Sequence, residues 1–254
     1  MQNYLAVESI SKHFGGLAAL DKCSFSIERN KITCLVGPNG AGKTTIFNVI
    51  TGFIRPDEGK ISFEGQPLNG LAPSEIIHRG IARTFQNLRL FSEMSTLDNV
   101  MVYLGGKTAF GPFAALARPW WTQAELRRKT EAALAILKEV GLADKAYDLA
   151  RNLSFGQQKL LCIARILATG AELLLLDEPA SGLHASSLND VAELVFKLRG
   201  QGKTLLVVEH NTRVVQKIAD EVLFLHLGHL LARGTADDIV RDPKLAEIYF
   251  GGAL

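Results

Sequence analysis

The sequence predicts an α/β protein built on a mainly parallel sheet. The runs Leu173–Leu176, Leu205–Val208 and Val222–Leu227 are continuous and apolar, as strands buried on both faces should be. Helical patterns alternate with them: Leu188, Val191, Val195 and Leu198 share one face of a helix closed near Gly200. The chain has 254 residues, 47% of them hydrophobic and 21% charged, which suits one large or two modest globular domains and excludes a disordered or collagenous chain.

The first predicted strand of this sheet is Lys31–Val36, which runs into the turn Gly37-Pro-Asn-Gly-Ala-Gly-Lys-Thr44. After the turn, Ile46, Val49, Ile50 and Phe53 recur at helical spacing, with Gly52 placed to end the helix. The stretch from about Ser92 to Gly141 has no buried-strand run and reads as a helical insert. In it Thr122 and Glu125 have capping-box spacing, and Leu126, Ala133, Leu137 and Val140 form an apolar stripe. Between Gly105 and Trp121, the aromatics Phe110, Phe113, Trp120 and Trp121 stand among glycines and two prolines. That segment reads as irregular, its rings either packed on their own subdomain or offered to a partner. After Val222 come a hairpin pattern around Gly228–His229 and a short helix from about Thr235.

Charge and cysteine content narrow the function classes. Lys plus Arg number 28 against 26 Asp plus Glu, and a net +2, dispersed along the chain, leaves no footprint for nucleic acid. No apolar run approaches the roughly 18 to 20 residues that cross a bilayer. Met1–Glu8 lacks the basic and apolar regions of a secretory signal, so a cytosolic location is expected. Cys23, Cys34 and Cys162 are odd in number, without metal-ligand spacing, and read as buried or idle thiols.

Three segments carry chemistry. Gly37 and Gly42, followed by Lys43 and Thr44, fit the phosphate-loop pattern between a strand and a helix. Backbone amides would surround a phosphate at the positive end of the helix, Lys43 would add a point charge, and the Thr44 hydroxyl would ligate Mg²⁺. Leu173-Leu-Leu-Leu-Leu-Asp-Glu-Pro179 ends a strand in two carboxylates, at the sheet edge where α/β proteins bind ligands. Alone, such a pair reads as solvated surface. Beside a phosphate loop, Asp177 becomes a magnesium ligand and Glu178 the base for the water that attacks the γ-phosphate. Arg151-Asn-Leu-Ser-Phe-Gly-Gln-Gln158 precedes a helical stripe, and Ser154 with Gln157 has capping-box spacing that would explain both residues without a ligand.

Leu-Ser-Phe-Gly-Gln, about 20 residues ahead of the Asp-Glu strand, resembles the signature of ATP-binding cassette (ABC) ATPases, and the ordered motifs extend the resemblance over almost the whole chain. The resemblance implies a P-loop NTPase with a RecA-like core of mainly parallel sheet, an N-terminal β subdomain and a helical subdomain at about 92–168, inserted within a catalytic core of 1–91 and 169–254. It implies that Phe14 stacks on adenine, although a ring near a strand is otherwise core. Gln86, in Arg-Thr-Phe-Gln-Asn, would be the hinge glutamine and a third metal ligand. His210, in Val-Val-Glu-His-Asn, would be the switch histidine on the γ-phosphate. The implied nucleotide-binding set is Phe14, Gly37, Pro38, Asn39, Gly40, Ala41, Gly42, Lys43, Thr44 and Thr45, with Ser154, Phe155, Gly156 and Gln157 acting across a head-to-tail dimer. Lys43, Glu178 and His210 would be the catalytic residues. Two positions depart from the commonest pattern: Phe155 where many members have glycine, and His184 in a dimer-interface loop that usually carries Asp or Asn.

Ser-Lys-His-Phe-Gly-Gly, Phe-Gly-Gln-Gln, Val-Glu-His-Asn and the tail from Arg233 to Gly251 are similar to ATP-binding subunits of branched-chain amino acid importers, a group that also serves amides and short organic acids. The implied cofactors are ATP and Mg²⁺. The implied partners are a second ABC ATPase subunit, two transmembrane permease subunits and, indirectly, a periplasmic or extracellular substrate-binding protein, with the chain peripheral on the inner face of the cell membrane. The alternative is a soluble ABC ATPase of a cluster-assembly or other non-transport complex. In this setting the C-terminal helix either braces a dimer or completes the core.

Overall fold

Leu5–Phe14 (β1) and Leu17–Ile27 (β2) pair antiparallel, and β1 pairs on its other side with Glu58–Phe63 (β4), which turns into the short Gln66–Pro67 (β5). This computed structural model describes residues 3–104 and 123–250. It divides into two units, Met1–Gln86 with Glu172–Leu254, and Asn87–Ala171. The antiparallel sheet, of order β2-β1-β4-β5, belongs to the first unit.

The same unit holds a six-stranded sheet of order β10-β9-β3-β8-β7-β6. Its strands are Ile32–Val36 (β3), Ile81–Arg83 (β6), Leu173–Asp177 (β7), Thr204–Val208 (β8), Glu221–His226 (β9) and His229–Gly234 (β10). All pairings are parallel except β9 with β10. Every residue of β3, β7 and β8 is buried, which explains their unbroken apolar runs: a strand covered on both faces has no solvent side on which to alternate. One apolar cluster gathers Leu5 and Ile10 of β1, Leu35 of β3, Leu173 and Leu175 of β7, Leu223 and Leu225 of β9, and Ile46, Phe47 and Ile50 of Lys43–Ile50 (α1).

Three sequence expectations in this unit need correction. Leu227 is not the last residue of β9: with Gly228 it forms the two-residue turn to β10, both at positive φ (+46° and +80°), and its side chain is exposed. Two positive φ angles in succession match the twist of a hairpin, which overrides the apolar character of leucine. Phe53 does not extend the buried stripe of α1. The helix stops at Ile50, Gly52 turns at φ +73°, and the exposed Phe53 ring meets Phe85 edge-on at 5.5 Å. Lys31 stays outside β3, its ammonium 2.9 Å from Glu28.

The first unit also contains Pro73–His78 (α2). After β7 come Ala185–Gly200 (α6), Thr212–Ile218 (α7), Ala236–Arg241 (α8) and Pro243–Phe250 (α9). Thr235 caps α8: its hydroxyl accepts the Asp238 N–H, and the Asp238 carboxylate accepts the Thr235 N–H. In the second unit are Thr96–Met101 (α3), Gln123–Glu139 (α4) and Phe155–Leu167 (α5). Burial on α4 is confined to its C-terminal half, at Ala133 and Leu137, with Val140 buried just beyond. Leu126 is 52% exposed, a correction to the expected stripe: spacing defines a face but not how far a neighbour covers it. Thr122 and the aromatics Phe110, Phe113, Trp120 and Trp121 lie outside the described residues. The three cysteines are free and buried.

Candidate active site

The loop between β3 and α1 is tied to the sheet beneath it. A Cβ on Gly37 (φ +151°) would fall 2.0 Å from the carbonyl oxygen of Leu225, and one on Gly42 (φ +105°) 2.6 Å from that of Ala19. Only glycine lets the chain lie so close to β9 and β2 and still open into a helix. The Gly228 N–H donates to Ala41 O, so the hairpin turn after β9 also braces the loop. Asn39 and Gly40 at its crown are exposed, Pro38 is half-buried and Ala41 is buried. Lys43 curls back, its ammonium donating to the carbonyls of Gly37 (2.7 Å) and Pro38 (2.8 Å). Burial lowers the pKa of Lys43, while the carboxylates of Glu178 and Asp177 act to raise it. Thr44 is exposed and Thr45 half-buried on the first turn of α1.

At the end of β7 the two carboxylates have different surroundings. Asp177 is buried, its N–H donating to Thr84 Oγ1 and its Oδ2 accepting from Arg83 Nη2 at 2.6 Å. Glu178 sits in left-handed backbone (φ +48°), a strained conformation for a residue with a long side chain. Its Oε1 lies 2.9 Å from His210 Nε2, and its Oε2 accepts from Gln86 Nε2 at 3.2 Å. Parallel pairing puts these groups together, because β6, β7 and β8 are consecutive neighbours whose C-terminal ends fall on one edge.

Two residues of this cluster escaped the sequence reading. Buried Glu209 accepts the N–H of Ala180 (2.7 Å) and that of His210 (3.2 Å), fixing the chain after β7 to the chain after β8. Its one sequence signal was an acid beside His210 at the end of an apolar strand. Arg83 gave no signal, since its partners Asn48 and Asp177 lie 35 and 94 residues away.

Phe14, at the end of β1, presents a ring 47% exposed, with the Lys12 ammonium 5.7 Å from its centroid. In the second unit, Ser154 caps α5 in a complete capping box: its hydroxyl accepts the Gln157 N–H and the Gln157 amide oxygen accepts the Ser154 N–H. Phe155 is exposed, with the Lys159 ammonium 5.4 Å from its ring centroid. His184 stands at the N-cap of α6 without a side-chain cap bond.

The family model described as ABC transporter matches residues 20–181, from β2 through the capped helix α5 to the chain just beyond Glu178. This chain belongs to the ABC transporter family. The cassette is an ATP hydrolase of α/β, P-loop NTPase fold. It is 38% identical over 256 residues, covering 99% of each chain, to the high-affinity branched-chain amino acid transport ATP-binding protein LivG of Salmonella typhimurium. Among solved structures it is similar to the ADP conformation of MJ1267, an ATP-binding cassette of an ABC transporter, with a TM-score of 0.86, 33% identity, and coverage of 99% of this chain and 100% of that one. It is also similar to the dimeric post-hydrolysis state of the cassette MJ0796 bound to ADP and Pi, with a TM-score of 0.75, 25% identity, and coverage of 91% and 98%.

Proposed function

We propose that this cassette is the ATP-hydrolysing subunit that powers a membrane importer for branched-chain amino acids or related amides and organic acids. The observation that carries the hydrolytic role is the placement of Glu178 between the His210 imidazole and the Gln86 amide, on the strand edge that also carries Asp177. The phosphate loop and Lys43 hold the nucleotide tail, and bound phosphate oxygens offset the cost of keeping the ammonium buried. Glu178 orients and deprotonates the attacking water, and His210 holds the γ-phosphate by donating a hydrogen bond. Phe14 stacks on adenine.

Thr44, Gln86 and Asp177 offer a hydroxyl, an amide and a carboxylate oxygen. This all-oxygen set, small enough to leave room for phosphate and water ligands, fits Mg²⁺. When bound, Mg²⁺ neutralises charge on the phosphate oxygens. The second half of the site is the Ser154 end of α5, contributed by a second cassette across a head-to-tail dimer and aided by Phe155, Gly156 and Gln157. The helix end favours an anion there, whichever side chain caps it. Among the described residues no helix is long and apolar enough to cross a membrane. Two permease subunits would anchor the cassette to the inner face of the membrane, with a substrate-binding protein delivering cargo outside. The full-length likeness to LivG favours this reading over a cassette of a non-transport complex.

Deleting the gene is expected to abolish high-affinity uptake of labelled leucine, with rescue by the wild-type chain and none by Lys43→Ala. Full uptake in the deletion strain would overturn the cargo assignment. Full ATP turnover by Lys43→Ala would overturn the site.

A further inference from the structure

Arg83, the last residue of β6, occupies the centre of a network that the reading above does not use. Its side chain is 5% exposed, as is that of Asp177, whose Oδ2 lies 2.6 Å from Nη2. Nη1 donates at 2.6 Å to the Asn48 amide oxygen on α1, and the guanidinium carbon lies 5.2 Å from the ring centroids of both Phe47 and Phe85. Arg83 Nε is buried with no hydrogen-bond partner among the described residues. Two end-on bonds and two rings therefore hold the guanidinium where one nitrogen covers a single oxygen of the carboxylate. Nη2 bonds Oδ2 end-on rather than spanning both oxygens as a bidentate fork would.

We propose that Arg83 is a resident counter-ion that positions Asp177 and screens its charge, so that a divalent cation is retained there only when nucleotide phosphates supply further ligands. This rests on the reading of Asp177 as a metal ligand. A buried carboxylate beside a second one, Glu178, attracts any divalent cation. A guanidinium in contact with it removes most of that attraction, because charges in a poorly solvated site interact strongly. Phosphate oxygens restore the missing negative charge, so metal and nucleotide enter as a unit. Arg83 also ties α1, behind the phosphate loop, to β6, which leads three residues later to Gln86.

The test is Mn²⁺ titration of the nucleotide-free full chain, with free Mn²⁺ followed by electron paramagnetic resonance. The wild type is expected to bind Mn²⁺ no more tightly than Asp177→Asn, because Arg83 masks the carboxylate. Arg83→Met, which keeps an unbranched apolar stem against the two rings, is expected to bind about tenfold more tightly, the effect of losing one charge-assisted hydrogen bond, and Asp177→Asn in that background is expected to erase the gain. A wild type that binds nucleotide-free Mn²⁺ about tenfold or more tightly than Asp177→Asn would overturn the proposal even if Arg83→Met fails to fold. A folded Arg83→Met with unchanged affinity, or a gain that survives Asp177→Asn, would also overturn it. Absence of ATP binding by the wild type would instead overturn the proposed function, leaving the Mn²⁺ comparison readable.

Discussion

Glu178 combines a strained backbone, at φ +48°, with a carboxylate held by the Gln86 amide and the His210 imidazole from other strand ends. The strain is maintained by the Glu178 N–H bond to Val208 O and by Asp177, anchored just before it. Glu178→Gln preserves shape and removes the proposed base. Nucleotide affinity is expected to stay within about threefold of wild type while ATP turnover falls roughly 10² to 10⁴-fold, checked by fluorescent-nucleotide binding and phosphate release. Lys43 differs in kind, because its bonds to the Gly37 and Pro38 carbonyls shape the loop as well as charge it.

At the scale of elements, the phosphate loop and the capped helix make separable predictions. Gly37→Ala places a methyl 2.0 Å from the Leu225 carbonyl oxygen, so loop and β9 must part. A loss of roughly 2–4 kcal/mol in denaturant unfolding and loss of ATP binding are expected. Gly40→Ala also meets a positive φ but opens into free space, and is expected to cost only about 1 kcal/mol. On α5, Ser154→Ala removes the cap and about 1 kcal/mol with it, whereas Ser154→Asn keeps a capping acceptor. If the hydroxyl also serves the γ-phosphate, the Asn variant melts within about 2 °C of wild type yet hydrolyses ATP at least about tenfold more slowly. Equal turnover would leave Ser154 a cap alone.

For the whole molecule, the three thiols report on the integrity of the fold. Burial pushes Cys23 and Cys162 from the ordinary 9.0 up to about 11, and raises the fully buried Cys34 further. A thiol whose folded pKa is raised stabilises the fold fully below its unfolded value, and that contribution is lost as pH rises through the folded value. Stability is therefore expected to fall between pH 9 and about 11, by on the order of 2 kcal/mol per thiol, in denaturant unfolding at stepped pH. Labelling with a thiol reagent at pH 8 should follow global opening and slow when Mg-ATP is bound.

By itself the sequence determined the parallel core, the phosphate loop and the paired carboxylates, because each is written in a short stretch: a doubly buried strand has no polar face, and a loop hugging a phosphate needs glycine at set intervals. The hairpin around Gly228 and the helix stop at Gly52 were legible from their glycines, but the exposure of Leu227, Leu126 and Phe53 was not, since neighbours distant in sequence decide which apolar residues are covered. Arg83 belongs to the tertiary structure alone, and Glu209 showed in the sequence only as an acid beside His210. Their roles come from side chains brought together by the order of the strands, and a charge acquires its counter-charge only when the chain has folded around both.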